Sequence, residues 1–340
     1  MRLLKLVPDN TNIDFMRWRN IALILSIVVT AASIALVFTR GLNWGVDFAG
    51  GQSLRVAFVS PPPIAQLRDQ IERLDVGSAT IQETRQNEAQ HAATDSGRAN
   101  LSEYLVRLPP PPGGDAASAT AAGRVRAMIE RDYPGNATIR SVDTVSPKVS
   151  GELLRSGAWA IGLAMLGIAI YIWLRFEWQF GVGALVTLFH DVWMTLGFFS
   201  LTRLEFDLNV VAAILTIVGY SLNDTVVIYD RIREDLRKYR KMAIVPLINT
   251  SLNETLSRTM VTSVSILLAL LALLLLGPDV IFGLTIAIFI GIFVGTYSSI
   301  YISSPILVWL RVNTASFLPK DPVSRADRGP RNESIDGARV

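Results

Sequence analysis

Cysteine is absent from the 340 residues, so neither a disulfide nor a thiolate metal site can be proposed. Histidine is scarce, with two in the chain, and His91 has no neighbouring ligand residues, so it reads as a solvated loop side chain. No metal or other cofactor is expected. The GK[ST] ending of a phosphate-binding loop is missing from the glycine-rich stretch GVDFAGG at residues 45–51, so nucleotide binding does not follow from it. Net charge is small, at +3, and the basic residues gather beside apolar blocks, which suits membrane orientation and not a nucleic-acid surface.

What the chain has instead is apolar length. Half of its residues are hydrophobic and mean hydropathy is +0.37. Six spans are readable, at about 19–39, 153–174, 180–201, 208–230, 259–276 and 280–310, each near or above the roughly 20 residues that cross a bilayer as a helix. The last is too short for two crossings and reads as one tilted or extended helix. An even number of spans puts both termini on one side. Arg2, Lys5, Arg17 and Arg19 precede the first span, and Arg311, Lys320, Arg325, Arg328 and Arg331 follow the last, so that side is expected to be cytoplasmic. Basic residues from Arg231 to Lys241 agree, whereas the short outside loops offer only Arg203 near Glu205 and Asp207, then Asp279. The first span resembles a signal peptide in its basic flank, but its length and the lack of a clear small-residue cleavage site favour a retained anchor.

The expected divisions are a cytoplasmic N-terminus at 1–18, a first span at 19–39, a periplasmic region at 40–150, a five-helix region at 151–312 with a cytoplasmic loop at 231–257, and a cytoplasmic tail at 313–340. Region 40–150 alternates strand and helix signals in the order βαββαβ: SLRVAFV, IAQLRDQIERL, ATIQETRQ, LSEYLVRL, ATAAGRVRAMIERDY and ATIRSVDTV. Ile64, Leu67, Ile71 and Leu74 share one face of the first helix, and the strands alternate as a half-buried antiparallel sheet requires. The fold class is thus a six-helix membrane protein with an inserted ferredoxin-like α+β domain. Stretches 87–100 and 109–118 read as surface loops. In GVDFAGG, Gly45, Gly50 and Gly51 suggest a tight entry from helix to strand, with Asp47 capping backbone N–H groups.

Inside the membrane the fourth span is polar on one side. Asn209, Thr216 and Asn223 recur every seven residues, and Thr216, Tyr220 and Asp224 every four, which places all five on one face. A charged Asp near the centre of a membrane helix costs roughly 2.5–3.5 kcal/mol on insertion scales, so that face is expected to point into the bundle or a wet cavity. In the fifth span Arg258, Thr262 and Ser265 align similarly, and the depths of Arg258 and Asp224 make pairing plausible. Asp224 then has two readings, a static buried ion pair or a titrating carboxylate whose proton burial and Arg258 leave exchangeable. His190 and Asp191 lie halfway along the third span, where Asp191 serves either as a structural hydrogen-bonding group or in proton movement. The last span carries Gly283, Ala287, Gly291, Gly295, Ser299 and Ser303 at strict four-residue spacing, a small-residue ridge that marks a close helix contact, within the chain or with another subunit.

GVDFAGG, FEWQFGVGALVTLFHD, GYSLNDTVVIYDRIRE, NETLSRTMVTS and GTYSSIYISSPI resemble, in order and over nearly the whole chain, the motifs of the SecF family of bacterial protein-export subunits. The resemblance implies a heterodimer with SecD, association with the SecYEG channel, YidC and YajC as further partners, and a translocating unfolded preprotein as cargo in a lipid membrane. It implies a bacterial inner-membrane location and use of the proton motive force to promote late-stage export. By the same resemblance Asp224 and Arg258 belong to a proton-conducting cluster, with a further Asp from SecD. Asn223, Asp191, Tyr220 and Thr262 complete the candidate set. The alternative is a proton-driven small-molecule or lipid exporter of the resistance–nodulation–division superfamily. No enzymatic activity is expected: an intramembrane aspartyl protease would place its two carboxylates on different helices, whereas Asp224 and Asp230 share one.

Overall fold

The structure, a computed structural model, describes residues 8, 11–77, 79–84, 102–110, 114–278 and 281–312. His91, the loop at 87–100, Asp279 and the tail at 313–340 lie outside the described residues, as do Arg2 and Lys5.

Among the described residues six helices are long and apolar enough to cross a membrane. A short 3₁₀ turn, Phe15–Trp18, leads into α1 (Arg19–Arg40). Two residues of strand, β1 (Asn43–Trp44), and one helical turn, α2 (Val46–Ala49), then enter the α+β unit. That unit comprises β2 (Gly51–Phe58), α3 (Ile64–Glu72), β3 (Thr80–Thr84), β4 (Ser102–Leu108), α4 (Gly114–Asp132) and β5 (Ala137–Val145). The remaining spans are α5 (Pro147–Arg175), α6 (Trp178–Thr202), α7 (Leu208–Lys238) and α8 (Ile244–Leu276), followed by α9 (Phe282–Ser298), a π-helical segment Ser299–Ser303 and α10 (Ser304–Trp309), which together form the sixth. A two-residue strand, β6 (Glu205–Phe206), lies between α6 and α7.

The sheet runs β3-β4-β2-β5 with all neighbours antiparallel. Its core joins Leu54, Val56 and Phe58 of β2 and Val106 of β4 to Leu67 and Ile71 of α3 and Val125 and Ile129 of α4. Edge strand β5 keeps the half-buried alternation expected from sequence. Strand β2 does not. Flanked on both sides, it is buried along nearly its whole length, including the polar Gln52 and Ser53.

Where residues 231–257 were expected to form a loop, they are almost wholly helical: α7 continues to Lys238 and α8 begins at Ile244. Hydropathy falls at Asp230, but the apolar spacing does not. Ile228, Ile232 and Leu236 carry the buried face onward at four-residue intervals and cluster with Leu247, Ile248 and Leu252. Ser251 Oγ donates to Asp235 Oδ2 at 2.7 Å, and Arg231 forms ion pairs with Glu254 and, at 2.7 Å, with Glu234.

The small-residue ridge of the sixth span meets α7 within the same chain. A Cβ on Gly283 would touch Val210 at 3.6 Å, one on Gly295 would approach Ser221 Cβ at 3.3 Å, and one on Gly291 would overlap Ile217. Backbone approach of this kind is what small residues permit between membrane helices.

GVDFAGG joins the two parts of the molecule. β1 pairs in parallel with β6, and Arg107 of β4 bonds Glu205 at 2.8 Å and Asn43 Oδ1 at 3.0 Å. Gly50 and Gly51 have φ of +71° and +103°, values that favour glycine. A Cβ on Gly50 would sit 3.2 Å from Pro147 Cα at the start of α5, and one on Gly51 would overlap the Leu108 carbonyl. Asp47 does cap a helix, though not a neighbouring one: its Oδ2 accepts the N–H of Leu208 at 2.9 Å, 161 residues away.

Candidate functional site

Besides Asp235 at the α7–α8 end, two buried aspartates among the described residues form polar nodes inside the helix bundle. Asp191, 1% exposed on α6, forms the first. Its Oδ2 accepts from Ser221 Oγ of α7 at 2.5 Å and from Ser298 Oγ of α9 at 2.9 Å, and its Oδ1 lies 2.9 Å from Nδ1 of the buried His190. One carboxylate thus ties three spans together. Gly295 makes room for it, since a Cβ there would approach Asp191 Oδ2 at 3.6 Å.

Asp224, 4% exposed on α7, forms the second. Ser263 Oγ of α8 is 3.4 Å from its Oδ2, and Thr296 Oγ1 of α9 donates to Ser263 Oγ at 2.9 Å. The line Thr296, Ser263, Asp224 is a run of hydroxyls ending on a carboxylate, and a hydroxyl can both give and take a proton.

The expected pairing of Asp224 with Arg258 is not formed: no ion pair within 4.0 Å joins them among the described residues, and Arg258 is exposed. Arg258 instead lines a cleft with Asp230, Arg231, Glu234 and Glu254. Asp230 is itself exposed and bonds Arg175 at 3.4 Å, apart from Asp224.

The five residues expected on one inward face of α7 are divided. Asp224 is buried, Tyr220 is half-buried with an enclosed hydroxyl, and Asn209, Thr216 and Asn223 are exposed. The reason is angular. At about 100° per residue the five span an arc of roughly 100°, and the inward direction, marked by Ile217, Ser221, Thr225 and Ile228, lies to the Asp224 side of it. On α8 the buried polar line is Thr255, Thr259 and Ser263, again at four-residue spacing. Thr262 is half-buried and donates to the Arg258 carbonyl at 3.0 Å, while Ser265 is exposed. Ser221, Ser263, Thr296 and Ser298 were thus missed in the sequence. The serine-rich stretch SSIYISS and the four-residue run 255, 259, 263 were the signals that could have found them.

At the opposite end of α7, Asp207 Oδ1 caps Val210 N at 3.0 Å. Burial raises the pKa of this carboxyl and the nearby Asp47 carboxylate adds to the effect, partly offset by the Val210 N–H and the Asn209 amide. A folded state that holds the proton more tightly than the unfolded chain loses stability as pH rises through the carboxylate range. Asp207→Asn should keep the cap and flatten that part of the dependence, whereas Asp207→Ala should cost about 0.5–2 kcal/mol. Melting of the purified variants across pH decides: equal pH dependence in Asp207→Asn and the parent would refute the assignment.

Six apolar helices with an α+β unit inserted after the first, and buried carboxylates bridging the helices, define a multi-pass membrane protein with a polar interior. Residues 125–313 match the family described as protein export membrane protein SecD/SecF, C-terminal, and residues 35–62 match the SecD/SecF GG motif, so the chain belongs to the SecD/SecF family. It is 42% identical to protein translocase subunit SecF of Cereibacter sphaeroides, over 91% of this chain and 93% of that one. It is 40% identical to the Rhodobacter capsulatus SecF over 98% of each. Among solved structures it resembles SecDF of Thermus thermophilus, a translocon-associated membrane protein, at a TM-score of 0.77 and 34% identity over 89% of this chain. A SecDF in a super-membrane-facing form gives 0.63 at the same identity and coverage. The chain spans 39% of the length of those SecDF chains.

Proposed function

We propose that the chain is a SecF-type subunit that pairs with SecD and uses the proton motive force to promote late-stage export of unfolded preproteins through SecYEG, with YidC and YajC as further partners. The observation that carries the proton role is Asp224: a buried carboxylate bonded by Ser263 of α8, which Thr296 of α9 bonds in turn, and with no cation within 4.0 Å among the described residues. A static ion pair, the competing account, has less support, because Arg258 acts on Asp224 only from beyond 4.0 Å. Arg258, at the mouth of the adjoining cleft, acts on the same path from the aqueous side, and Asp191 holds α6, α7 and α9 in register around it.

The SecD pairing has its own support. Asn209, Thr216 and Asn223 form an exposed polar line on a membrane helix, which is costly against lipid and needs a protein neighbour. In this reading residues 40–150 form a periplasmic ferredoxin-like domain, both termini are cytoplasmic, and the protein resides in the inner membrane. The strand order, with β2 between β4 and β5, supports the ferredoxin-like topology. The small-molecule exporter has no observation in its favour.

Two measurements test the reading. In inverted vesicles the chain with SecD should stimulate preprotein translocation while a proton gradient is present, and an uncoupler should remove that stimulation. Stimulation that survives the uncoupler would sink the proton role. For topology, the cysteine-free chain gives a clean background. Ser96→Cys should react with an impermeant thiol reagent from the periplasmic side of intact cells, and labelling only after lysis would reverse the orientation.

A further inference from the structure

The ends of α5 and α7 enclose a groove of about 760 Å³ lined by Arg175, Asp230, Arg233, Glu234, Arg237 and Lys238. Its two carboxylates are engaged, Asp230 with Arg175 at 3.4 Å and Glu234 with Arg231 at 2.7 Å. Of its cations, Arg175 is thereby paired and Lys238 lies 4.9 Å over the Tyr239 ring, but carboxylate pairing of the other three is weaker. Arg233 reaches Glu177 only at 3.9 Å, and Arg237 and Lys238 have no carboxylate within 4.0 Å among the described residues. Arg175 and Arg233 are held in place from below, their guanidinium groups 5.1 and 5.8 Å from the ring centre of the buried Phe176. Arg237 and Lys238 occupy the last turn of α7, where the helix dipole stabilises their charged forms.

The depth of the groove is marked independently. Trp173 and Trp178 flank the α5–α6 turn and are 70% and 55% exposed, with Leu174 at 84% beside them. Exposed tryptophans next to a cationic turn at the ends of spans are the pattern of side chains at headgroup level. A solvated belt of scattered charges would satisfy the orientation rule equally well, but it would not be concave, nor would its cations converge above a stacked aromatic.

We propose that this groove binds the phosphate headgroup of an anionic phospholipid. The phosphodiester lies among Arg233, Arg237 and Lys238, and the acyl chains descend along the apolar flank of α5 beside Leu174. Basic pockets between the ends of membrane helices suit such headgroups, and each Lys or Arg near the surface contributes enough that losing two should weaken binding at least tenfold. This site borders the Arg258 cleft, sharing Arg175, Asp230 and Glu234 with it, but Arg233, Arg237 and Lys238 lie outside that cleft and their role does not depend on the proton role proposed above.

The test uses the full chain purified in mild detergent and titrated with dioctanoyl-phosphatidylglycerol, dioctanoyl-phosphatidylcholine and inorganic phosphate, with bound lipid read by native mass spectrometry and by melting temperature. The expected result is saturable binding and a raised melting temperature with the anionic lipid alone. The double variant Arg237→Gln/Lys238→Gln should lose at least tenfold in affinity, and the charge-matched control Arg124→Gln/Arg140→Gln, on the exposed surface of the α+β unit, should bind like the parent. Equal binding of the zwitterionic lipid overturns the proposal. So does inorganic phosphate binding as tightly as the lipid, which would make the groove a free-anion site, or equal losses in both double variants, which would reduce the effect to net charge. If the groove variant melts below the parent without lipid, the single variants Arg237→Gln and Lys238→Gln replace it, and unchanged affinity in both refutes the assignment.

Discussion

Asp224→Asn should leave a chain that inserts, folds and keeps its SecD partner, yet no longer responds to the proton gradient. The substitution preserves shape and lets the amide keep a hydrogen bond with Ser263, which stands 3.4 Å away in the parent, so packing between α7 and α8 is disturbed little. What disappears is the capacity to alternate between neutral and charged forms. Moving one charge across 100 mV is worth about 2.3 kcal/mol, enough to shift a conformational equilibrium roughly fiftyfold, and the variant forfeits all of it. Translocation into inverted vesicles, measured with the gradient present and then collapsed, should give the same low rate for Asp224→Asn in both conditions. A variant that still gains from the gradient as the parent does would reduce Asp224 to architecture.

Gly291→Leu should fail at an earlier stage. Even a single Cβ at Gly291 would overlap Ile217 on α7, and a leucine adds three more carbons to the same gap. Overpacking of a tight core typically costs 1–3 kcal/mol and occasionally more, and here the contact also sets the distance between Ser298 and Asp191, 2.9 Å in the parent. The expected outcome is a large fall in the amount of folded protein in the membrane. Gly283→Ala is the matched control, because its new methyl would meet Val210 at an ordinary 3.6 Å. Normal accumulation and melting of Gly291→Leu would mean that the sixth span does not pack on α7 as described.

Much of this was legible in the residues because the signals are local. The βαββαβ order came from runs that alternate or repeat every three to four residues, and β5, Ala137–Val145, coincides with its expected bounds. The ridge was legible for the same reason, though its partner was not: nothing in Gly283 to Ser303 says that the facing residues are Val210, Ile217 and Ser221. Hydropathy misled at Asp230, where charge ended the expected span while Ile232 and Leu236 kept the helix buried against α8. The site was harder. Polar spacing gathered Asn209, Thr216, Tyr220, Asn223 and Asp224 on one arc but could not say where the bundle axis lies relative to it, and a rotation of some tens of degrees decides which residues are inside. Arg258 was matched to Asp224 by depth alone. Depth fixes one coordinate, and separation across the membrane plane depends on tertiary packing.

Helix α7 is one uninterrupted run of 31 residues without a proline, about 46 Å long. Its first turn is tied to the α+β unit through Asp47 and the β1–β6 pairing, and its last turns are tied to α8 through Asp235 and Arg231. Asp224 sits between these two anchorages. One continuous helix thus links the two anchorages. With no proline to kink it, the helix runs unbroken from the carboxylate to the inserted domain at one end and to the α7–α8 corner at the other. Beside it the sixth span departs from regular α-helical winding at Ser299–Ser303, a segment whose Ser299, Ile300, Ile302 and Ser303 are all buried.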